Sequence, residues 1–290
     1  MQGYCFFCCH AGGQRYSGEH VYLKYSMIIV RYLLLFFRLV YCIYAMLLFA
    51  LIILMLTPCL LVCFTLGRIR GGNIMYRLFR GCANVYLILI GIPHRTSYES
   101  IPDPNEQYIF IANHIAYLDA VIIISSVKHD FRPIGKYELL KVPIFGWLYK
   151  FCVVTVNRSS AEDRARSLND LRKILARGIS VVVFPEGTFN MGEAPLKEMY
   201  DGAFKLAVET GKKIQPIIFL DAFDRMHYRH WFTLLPGKSR AIYLHPIDPA
   251  DFPGADAKAL KQVAIKRMSE KLIEKKASWI GENYLSGSAK

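Results

Sequence analysis

The sequence predicts an α/β domain with a mostly parallel sheet flanked by helices, preceded by an N-terminal membrane-embedded or interfacial helical hairpin. The α/β domain is indicated by the residues after 100, where short apolar runs alternate with amphipathic segments, as in strand–helix–strand units. The hairpin is indicated by residues 27–67, which are dominated by large apolar side chains. In particular, the 29 residues between Arg38 and Arg68 carry no charge.

The composition points to a lipid surface. The chain has 290 residues, of which 53% are hydrophobic, and a formal net charge of +13; its mean hydropathy is +0.25. A joint excess of apolar and basic residues is expected of a protein that meets anionic lipids. Nucleic acid is the other usual partner of a basic chain, but no basic block with interleaved aromatic residues is present. Membrane lipids are therefore the expected partner, and nucleic acid is not.

Three segments are expected along the chain. Residues 1–26 lack periodicity and are interpreted as a disordered tail, with Met27 as a hypothetical natural start. Residues 27–67 form a membrane-associated helical segment, because a bilayer core needs only about 20 apolar residues as a helix. Pro58 is expected to kink or end that helix. Residues 68–290 make up the α/β domain.

The basic residues around the apolar segment bear on its orientation. Four arginines follow it directly, namely Arg68, Arg70, Arg77 and Arg80, and they place this flank on the cytoplasmic side of a membrane. Arg31 and Arg38 lie on the other flank. A hairpin that enters and returns, with both basic flanks on one side, fits this pattern better than a single span.

The later elements follow from apolar periodicity. Strands are predicted at 108–112, 131–134, 153–156, 179–184, 214–220 and 241–245. Helices are predicted at 118–127, 138–150, 161–176, 201–210 and 257–276. Gly211 ends one of these helices as a C′ residue.

His114 and Asp119 are the candidate catalytic pair. His114 follows a predicted strand and precedes a predicted helix, a position where ligands bind in α/β sheets. A histidine can take a proton from an alcohol while a carboxylate holds its tautomer. Residues five apart lie about 140° apart on a regular helix. The pair therefore works only if His114 lies before the helix and Asp119 reaches back from its first turn. The alternative is a capping aspartate beside an unrelated histidine.

Two further groups of residues follow predicted strands. The first is the segment 184–188, Phe-Pro-Glu-Gly-Thr, in which a carboxylate beside a flexible turn suits hydroxyl binding; an ordinary turn is the alternative. The second is Lys136 and Arg158, cations suited to holding a phosphate, with solvated surface charge as the alternative.

Several motifs are missing from the sequence. No G-x-S-x-G, Walker A, G-x-G-x-x-G or H-E-x-x-H pattern occurs. A serine hydrolase, a nucleotide site and a paired-histidine metal site are therefore not indicated, and neither a cofactor nor a metal is expected.

Taken in order, the candidate segments resemble the motifs of the glycerolipid acyltransferase family, in particular the 1-acylglycerol-3-phosphate acyltransferases. The matching blocks are Asn113 to Asp119, Lys136 through Arg158, Phe184 to Thr188, and the short apolar block with a proline at 214–218. The resemblance spans about residues 70 to 245. Four blocks in order at fitting distances are far more specific than a histidine and an aspartate alone.

The resemblance implies acyl transfer from acyl-CoA or acyl-carrier protein to the sn-2 hydroxyl of lysophosphatidate. It implies that His114 deprotonates the acceptor hydroxyl and that Asp119 orients His114. The other implied roles are phosphate binding by Lys136 and Arg158, binding of the acceptor's glycerol part by Glu186, Gly187 and Thr188, and shaping of the site or its oxyanion region by Asn113 and Pro216.

One position departs from the family pattern. Many members continue Phe-Pro-Glu-Gly-Thr with an arginine that is thought to meet the phosphate, whereas Phe189 stands here. Phosphate recognition is then left to Lys136, Arg158 or a substitute such as Lys197. Acylation of another lyso-lipid, or a non-catalytic lipid-binding role for the same fold, are the alternatives.

Overall fold

The computed structural model describes residues 18–141, 145–156, 160–252, 254 and 256–286. Seven strands form one sheet, in the order β1-β7-β6-β2-β5-β3-β4. The strands are β1 (His94–Tyr98), β2 (Ile109–Ala112), β3 (Phe131–Lys136), β4 (Val154–Val156), β5 (Ser180–Val183), β6 (Ile214–Phe219) and β7 (Ser239–Tyr243). The helices are α1 (Gly18–Thr65), α2 (Gly72–Leu89), α3 (Asp119–Ser126), α4 (Phe145–Cys152), α5 (Ala161–Leu175), α6 (Gly202–Thr210), α7 (Ala222–Arg225), α8 (Ala257–Glu274) and α9 (Glu282–Leu285).

The sheet is mostly parallel, as predicted. Strand β2 lies at its centre and pairs in parallel with both β5 and β6. Strands β3 and β4 continue the parallel arrangement on one side. On the other side β7 runs antiparallel to β6, and β1 runs parallel to β7. Every residue of β2, β5 and β6 is buried, which is expected where both faces of a parallel sheet are covered.

The strands and helices predicted after residue 100 are present, although one predicted helix is divided in two. Strand β1 was not predicted, because its residues are largely polar and alternate between half-buried and exposed at the edge of the sheet. The single helix expected at 138–150 is instead a 3₁₀ segment, Tyr137–Lys141, and helix α4. A proline disfavours helix in the residue before it, and Pro143 belongs to residues 142–144, which lie outside the described residues.

Helix α1 is longer than expected and differs from the prediction at both ends. It begins at Gly18, nine residues before Met27, and it continues past Pro58 to Thr65. A π-helical turn, Gly67–Gly71, then leads into α2. A side chain at Gly71 would collide with the carbonyl of Cys63, because a Cβ there would lie 1.9 Å from that oxygen. Glycine therefore permits the tight reversal of the chain.

The helical hairpin is completed by α2, beyond the segment 27–67 that the sequence assigned to it. Helix α1 packs on α2, and the buried residues of α1 are Cys42, Ala45, Leu56, Leu60 and Cys63. Tyr86 of α2 donates a hydrogen bond to the carbonyl of Ala45 (3.3 Å). About two turns earlier on α1, Arg38 donates a hydrogen bond to the carbonyl of Thr233 (2.6 Å), which fastens α1 to the α/β domain.

Between Ser26 and Thr65, most of the other side chains of α1 are apolar and exposed. Within the described residues one helix, Ser26–Thr65, is long and apolar enough to cross a membrane, and 17% of its most apolar window is buried. A helix of 40 residues is about 60 Å long, twice the thickness of a bilayer core at about 30 Å.

Candidate active site

The loop between β2 and α3 carries the candidate catalytic residues, at the carboxyl end of the central strand. Its first residue, Asn113, is buried and pairs with the backbone of Phe219 at the end of β6. The Asn113 side chain donates to the carbonyl of Phe219 (3.1 Å) and accepts from its amide (2.7 Å). Asn113 therefore holds the ends of two neighbouring strands together, and its predicted role in shaping the site remains a prediction.

His114 and Asp119 are in contact, with the geometry that the sequence required. Asp119 is the first residue of α3, and His114 lies in the preceding loop. The Nδ1 atom of His114 is 2.9 Å from Oδ2 of Asp119. The same oxygen accepts the amides of Ile115 (2.7 Å) and Ala116 (2.9 Å). Because a carboxylate only accepts, Nδ1 carries the hydrogen and Nε2 is left as an acceptor.

Aromatic side chains enclose the imidazole of His114. Phe184 stacks on it at a centroid distance of 4.4 Å, and Phe189 lies at 4.4 Å in a tilted arrangement. Tyr117 packs edge-on against Phe189 at 4.8 Å. The side chain of His114 is 22% exposed, whereas that of Asp119 is fully buried. The ring is thus held between apolar walls while one part of it faces outward.

Glu186 braces this loop from the segment 184–188. It is almost completely buried, and its two carboxylate oxygens accept different backbone amides, those of His114 (2.9 Å) and Lys197 (2.8 Å). Burial raises the pKa of Glu186 from 4.5 to about 7, against the two backbone hydrogen bonds, which lower it. Glu186 therefore joins the His114 loop to the loop before α6, a role that the sequence pattern did not indicate.

The raised pKa of Glu186 predicts a specific dependence of stability on pH. A carboxyl group with a higher pKa in the folded chain binds more protons when folded, so its contribution to stability decreases as pH rises from 4.5 to about 7. The full change is at most about 3 kcal/mol. We expect the unfolding free energy of the native chain, relative to a Glu186→Gln variant, to fall by up to that amount over this range.

Chemical denaturation of both proteins in detergent at several pH values measures this difference. His94 makes an opposite contribution, since burial lowers its pKa from 6.5 to about 4, but it is common to both proteins and cancels. A free-energy difference that stays constant with pH would contradict the assignment.

The turn after Glu186 completes the site. Gly187 has a φ of +73°, a left-handed conformation that favours glycine. Thr188 is exposed, and its hydroxyl accepts a hydrogen bond from Nζ of Lys197 (2.6 Å). The backbone amide of Asn190 donates a hydrogen bond to the carbonyl of His114 (2.8 Å). Asn190 was missed by sequence reasoning, because nothing in the local pattern shows that this backbone meets the His114 loop.

The remaining predicted residues are not brought to the catalytic pair by any described contact. Lys136 is exposed at the end of β3, opposite Val156. Pro216 is buried within β6, opposite Ile111 of β2. Arg158 lies outside the described residues. Their predicted roles in substrate binding and site shaping remain predictions.

Comparisons with known proteins agree with this fold. A family model described as Acyltransferase matches residues 94–220, from β1 to just beyond β6. The 1-acyl-sn-glycerol-3-phosphate acyltransferase of Borreliella burgdorferi is 30% identical over 177 residues, which are 60% of this chain and 69% of that protein. The enzyme of the same name from Haemophilus influenzae is 27% identical over 241 residues, 77% of this chain and 94% of that protein.

Other similarities are partial or concern the fold. A 1-acyl-sn-glycerol-3-phosphate acyltransferase from Chlamydomonas reinhardtii is 26% identical over 60% of this chain, and the match spans about half (52%) of that protein. The crystal structure of the 1-acyl-sn-glycerophosphate acyltransferase PlsC from Thermotoga maritima superposes with a TM-score of 0.64 at 22% identity. It covers 83% of this chain and 96% of that one.

The fold and the site first define a class: an α/β domain with a histidine–aspartate pair at the carboxyl end of its central parallel strand. Within that class, the chain belongs to the acyltransferase family.

Proposed function

We propose that this protein transfers a fatty acyl group from acyl-CoA or acyl-carrier protein to the sn-2 hydroxyl of lysophosphatidate, giving phosphatidate. The observation that carries the proposal is the 2.9 Å contact between Nδ1 of His114 and Oδ2 of buried Asp119. The imidazole of His114 is itself partly exposed. The activity for which the two bacterial relatives are named supports the choice of acceptor.

His114 acts as general base in this proposal. Its Nε2 takes the proton of the acceptor hydroxyl as that oxygen attacks the thioester carbonyl of the donor. The tetrahedral intermediate then collapses, the carbon–sulfur bond breaks, and the thiolate receives the proton from His114. Asp119 stabilises the imidazolium that exists between these two transfers. No acyl-enzyme is needed, because the acceptor oxygen is itself the nucleophile.

The buried carboxylates restrict where an oxyanion can be stabilised. The amides of His114, Ile115 and Ala116 all point at Glu186 or Asp119. These three amides hold the catalytic loop, which is the His114 loop between β2 and α3, in place. The hydrogen-bond donors that stabilise the oxyanion must therefore come from other groups.

Lys197 is the cation best placed to hold the acceptor's phosphate. It is exposed, and its Nζ lies 2.6 Å from Thr188 Oγ1, next to the residue where Phe189 replaces the arginine of many family members. Removing a charge-assisted hydrogen bond costs about 1.5–3 kcal/mol, so we expect Lys197→Met to raise the KM for lysophosphatidate on the order of tenfold. Measured kcat should change little.

The matched control for this prediction is Lys266→Met. Lys266 lies on α8 with a side chain that is 73% exposed, so its replacement should leave KM unchanged. An unchanged KM in Lys197→Met would remove Lys197 from the acceptor site.

Turnover on a panel of acceptors tests the proposed reaction. The purified chain in liposomes receives acyl-CoA, or acyl-carrier protein loaded with the same acyl group, and either lysophosphatidate or another lysophospholipid. Release of the thiol and formation of the diacyl product are measured together. Preference for a different lyso-acceptor would replace lysophosphatidate in the proposal, and no turnover with any acceptor would favour the non-catalytic lipid-binding alternative.

The proposal places the protein at a membrane, with the α/β domain on the cytoplasmic face. The apolar exposed surface of α1 supports the membrane location. Among the four arginines after α1, Arg77 pairs with Asp130 and Arg80 donates to a carbonyl of the domain. Arg68 and Arg70 are exposed, and they are the pair that supports the orientation.

A further inference from the structure

A cluster of exposed aromatic and basic residues lies beside the end of α1. Three of its members are large and apolar or aromatic: Tyr137, Leu139 and Trp147 are 47%, 38% and 58% exposed. Three are lysines, Lys136, Lys141 and Lys150, all exposed. These six residues, referred to as the α4 patch, come from the end of β3, the 3₁₀ segment after it and helix α4. None of them is needed for the hydrogen bonds of the catalytic pair.

The α4 patch is continuous with the apolar helix. Trp147 stacks on Phe64 in the last turn of α1, with ring centroids 3.8 Å apart and an interplanar angle of 27°. Phe151 meets the same ring edge-on at 4.5 Å. The largest exposed aromatic side chain of α4 therefore lies directly against the helix whose other surface is apolar and exposed. A membrane that receives this part of α1 also reaches Trp147.

The charges around the patch are strongly of one sign. The three lysines have no ion pair within the part of the chain that the structure describes, and neither do Arg68 and Arg70, which follow α1. Against these five cations stands one carboxylate, Glu138, in the described segments 67–71, 136–141 and 145–152. Free cations around an exposed tryptophan form the arrangement expected at a membrane interface, where the ring sits at headgroup level and lysines reach the phosphates.

A lipid surface fits the patch better than a second copy of the chain. Every copy carries a formal net charge of +13, so two patches brought together would repel. An anionic bilayer surface instead attracts each lysine near it by about 1 kcal/mol.

We propose that the α4 patch is a second membrane contact, which binds the headgroups of anionic phospholipids and seats the α/β domain against the bilayer. This inference rests on the membrane location proposed above. It adds that the α/β domain contacts the lipid surface directly, in addition to the contact made by the helical hairpin. The contact holds the domain in one orientation relative to the lipid surface.

Fluorescence of a single tryptophan tests the proposal on the full chain. The variant Trp231→Phe/Trp279→Phe retains Trp147 and is reconstituted in vesicles of phosphatidylcholine and phosphatidylglycerol, with or without phosphatidylcholine brominated near the top of its acyl chains. We expect brominated lipid to reduce the Trp147 emission roughly twofold or more, as for a ring at the interface. The matched control, Trp147→Phe/Trp231→Phe, retains Trp279, which is 6% exposed and should not be quenched.

A separate variant tests the lysines of the α4 patch. In Lys141→Gln/Lys150→Gln, added to the Trp147-only chain, we expect quenching that is weaker and no longer increases with the fraction of phosphatidylglycerol. Turnover of lysophosphatidate in detergent should stay unchanged, because neither lysine contacts the catalytic loop within the described residues.

The outcomes separate this inference from the proposed function. Trp147 emission that brominated lipid does not reduce, in a chain that still sediments with the vesicles, would overturn the α4 patch while leaving the catalytic proposal intact. The same result accompanied by cross-linking between copies through this patch would assign it to an oligomer interface instead. Loss of turnover in detergent would count against the catalytic proposal, and strong quenching would still support the patch.

Discussion

Replacing His114 with alanine is expected to lower kcat by about 10²–10⁴, the contribution of a positioned general base. Without the imidazole, the acceptor hydroxyl must attack the thioester while still protonated. The partly exposed ring of His114 lies on the surface of the domain core, so the chain should keep its fold. Steady-state kinetics with lysophosphatidate, together with the thermal midpoint in detergent, measure the two effects separately.

The control for this prediction is His245→Ala. His245 is exposed and lies beyond the end of β7. Strand β7 runs antiparallel to β6, with Tyr243 opposite Ile217. The carboxyl end of β7 therefore points away from the end of the sheet that carries the catalytic loop. His245→Ala should retain full activity. A His114→Ala variant that is equally active would refute the mechanism.

Replacing Asp119 with asparagine is expected to give the second large loss, on the order of 10⁴ in kcat, as for the orienting aspartate of a catalytic triad. A single oxygen, Oδ2, accepts His114 and the amides of Ile115 and Ala116. The amide oxygen of asparagine can accept all three, so the loop geometry is preserved while the negative charge is lost. The variant therefore isolates the stabilisation of the imidazolium during proton transfer.

The side effects of Asp119→Asn are also defined. Oδ1 of Asp119 is buried without a hydrogen-bond partner among the described residues, and an asparagine NH₂ placed there would cost about 1–3 kcal/mol of stability. We expect KM for the acceptor to stay near its native value. A variant with native kcat would show that the charge of Asp119 has no part in the reaction, and a raised KM alone would move Asp119 to substrate binding.

The fold was largely predictable because its central strands are unambiguous. Residues 109–112, 180–183 and 214–219 are buried throughout, and short apolar runs of this kind, alternating with amphipathic helices, indicate a parallel sheet. Strand β1 was not predictable in the same way. Its polar residues are held by pairing with β7, an interaction between residues far apart in sequence.

The helical hairpin was also predictable only in part. The apolar content of residues 27–67 indicated a membrane-associated helix, but not its helical partner. Helix α2 packs on α1, in part through Tyr86, which contacts Ala45 and Phe49. Its own sequence carries arginines and polar residues and gives little sign of that contact.

The sequence by itself determined the chemical identity of the site: a histidine and an aspartate at a spacing that requires a turn between strand and helix, and a phenylalanine in place of an arginine. Only the tertiary structure decided how these groups are used. It brought Phe184 and Phe189 onto the ring of His114. It also directed both oxygens of Glu186 to backbone amides. The reason is physical: adjacent strands carry these residues to one edge of the sheet, and a local sequence pattern holds no record of which distant backbone a buried carboxylate must satisfy.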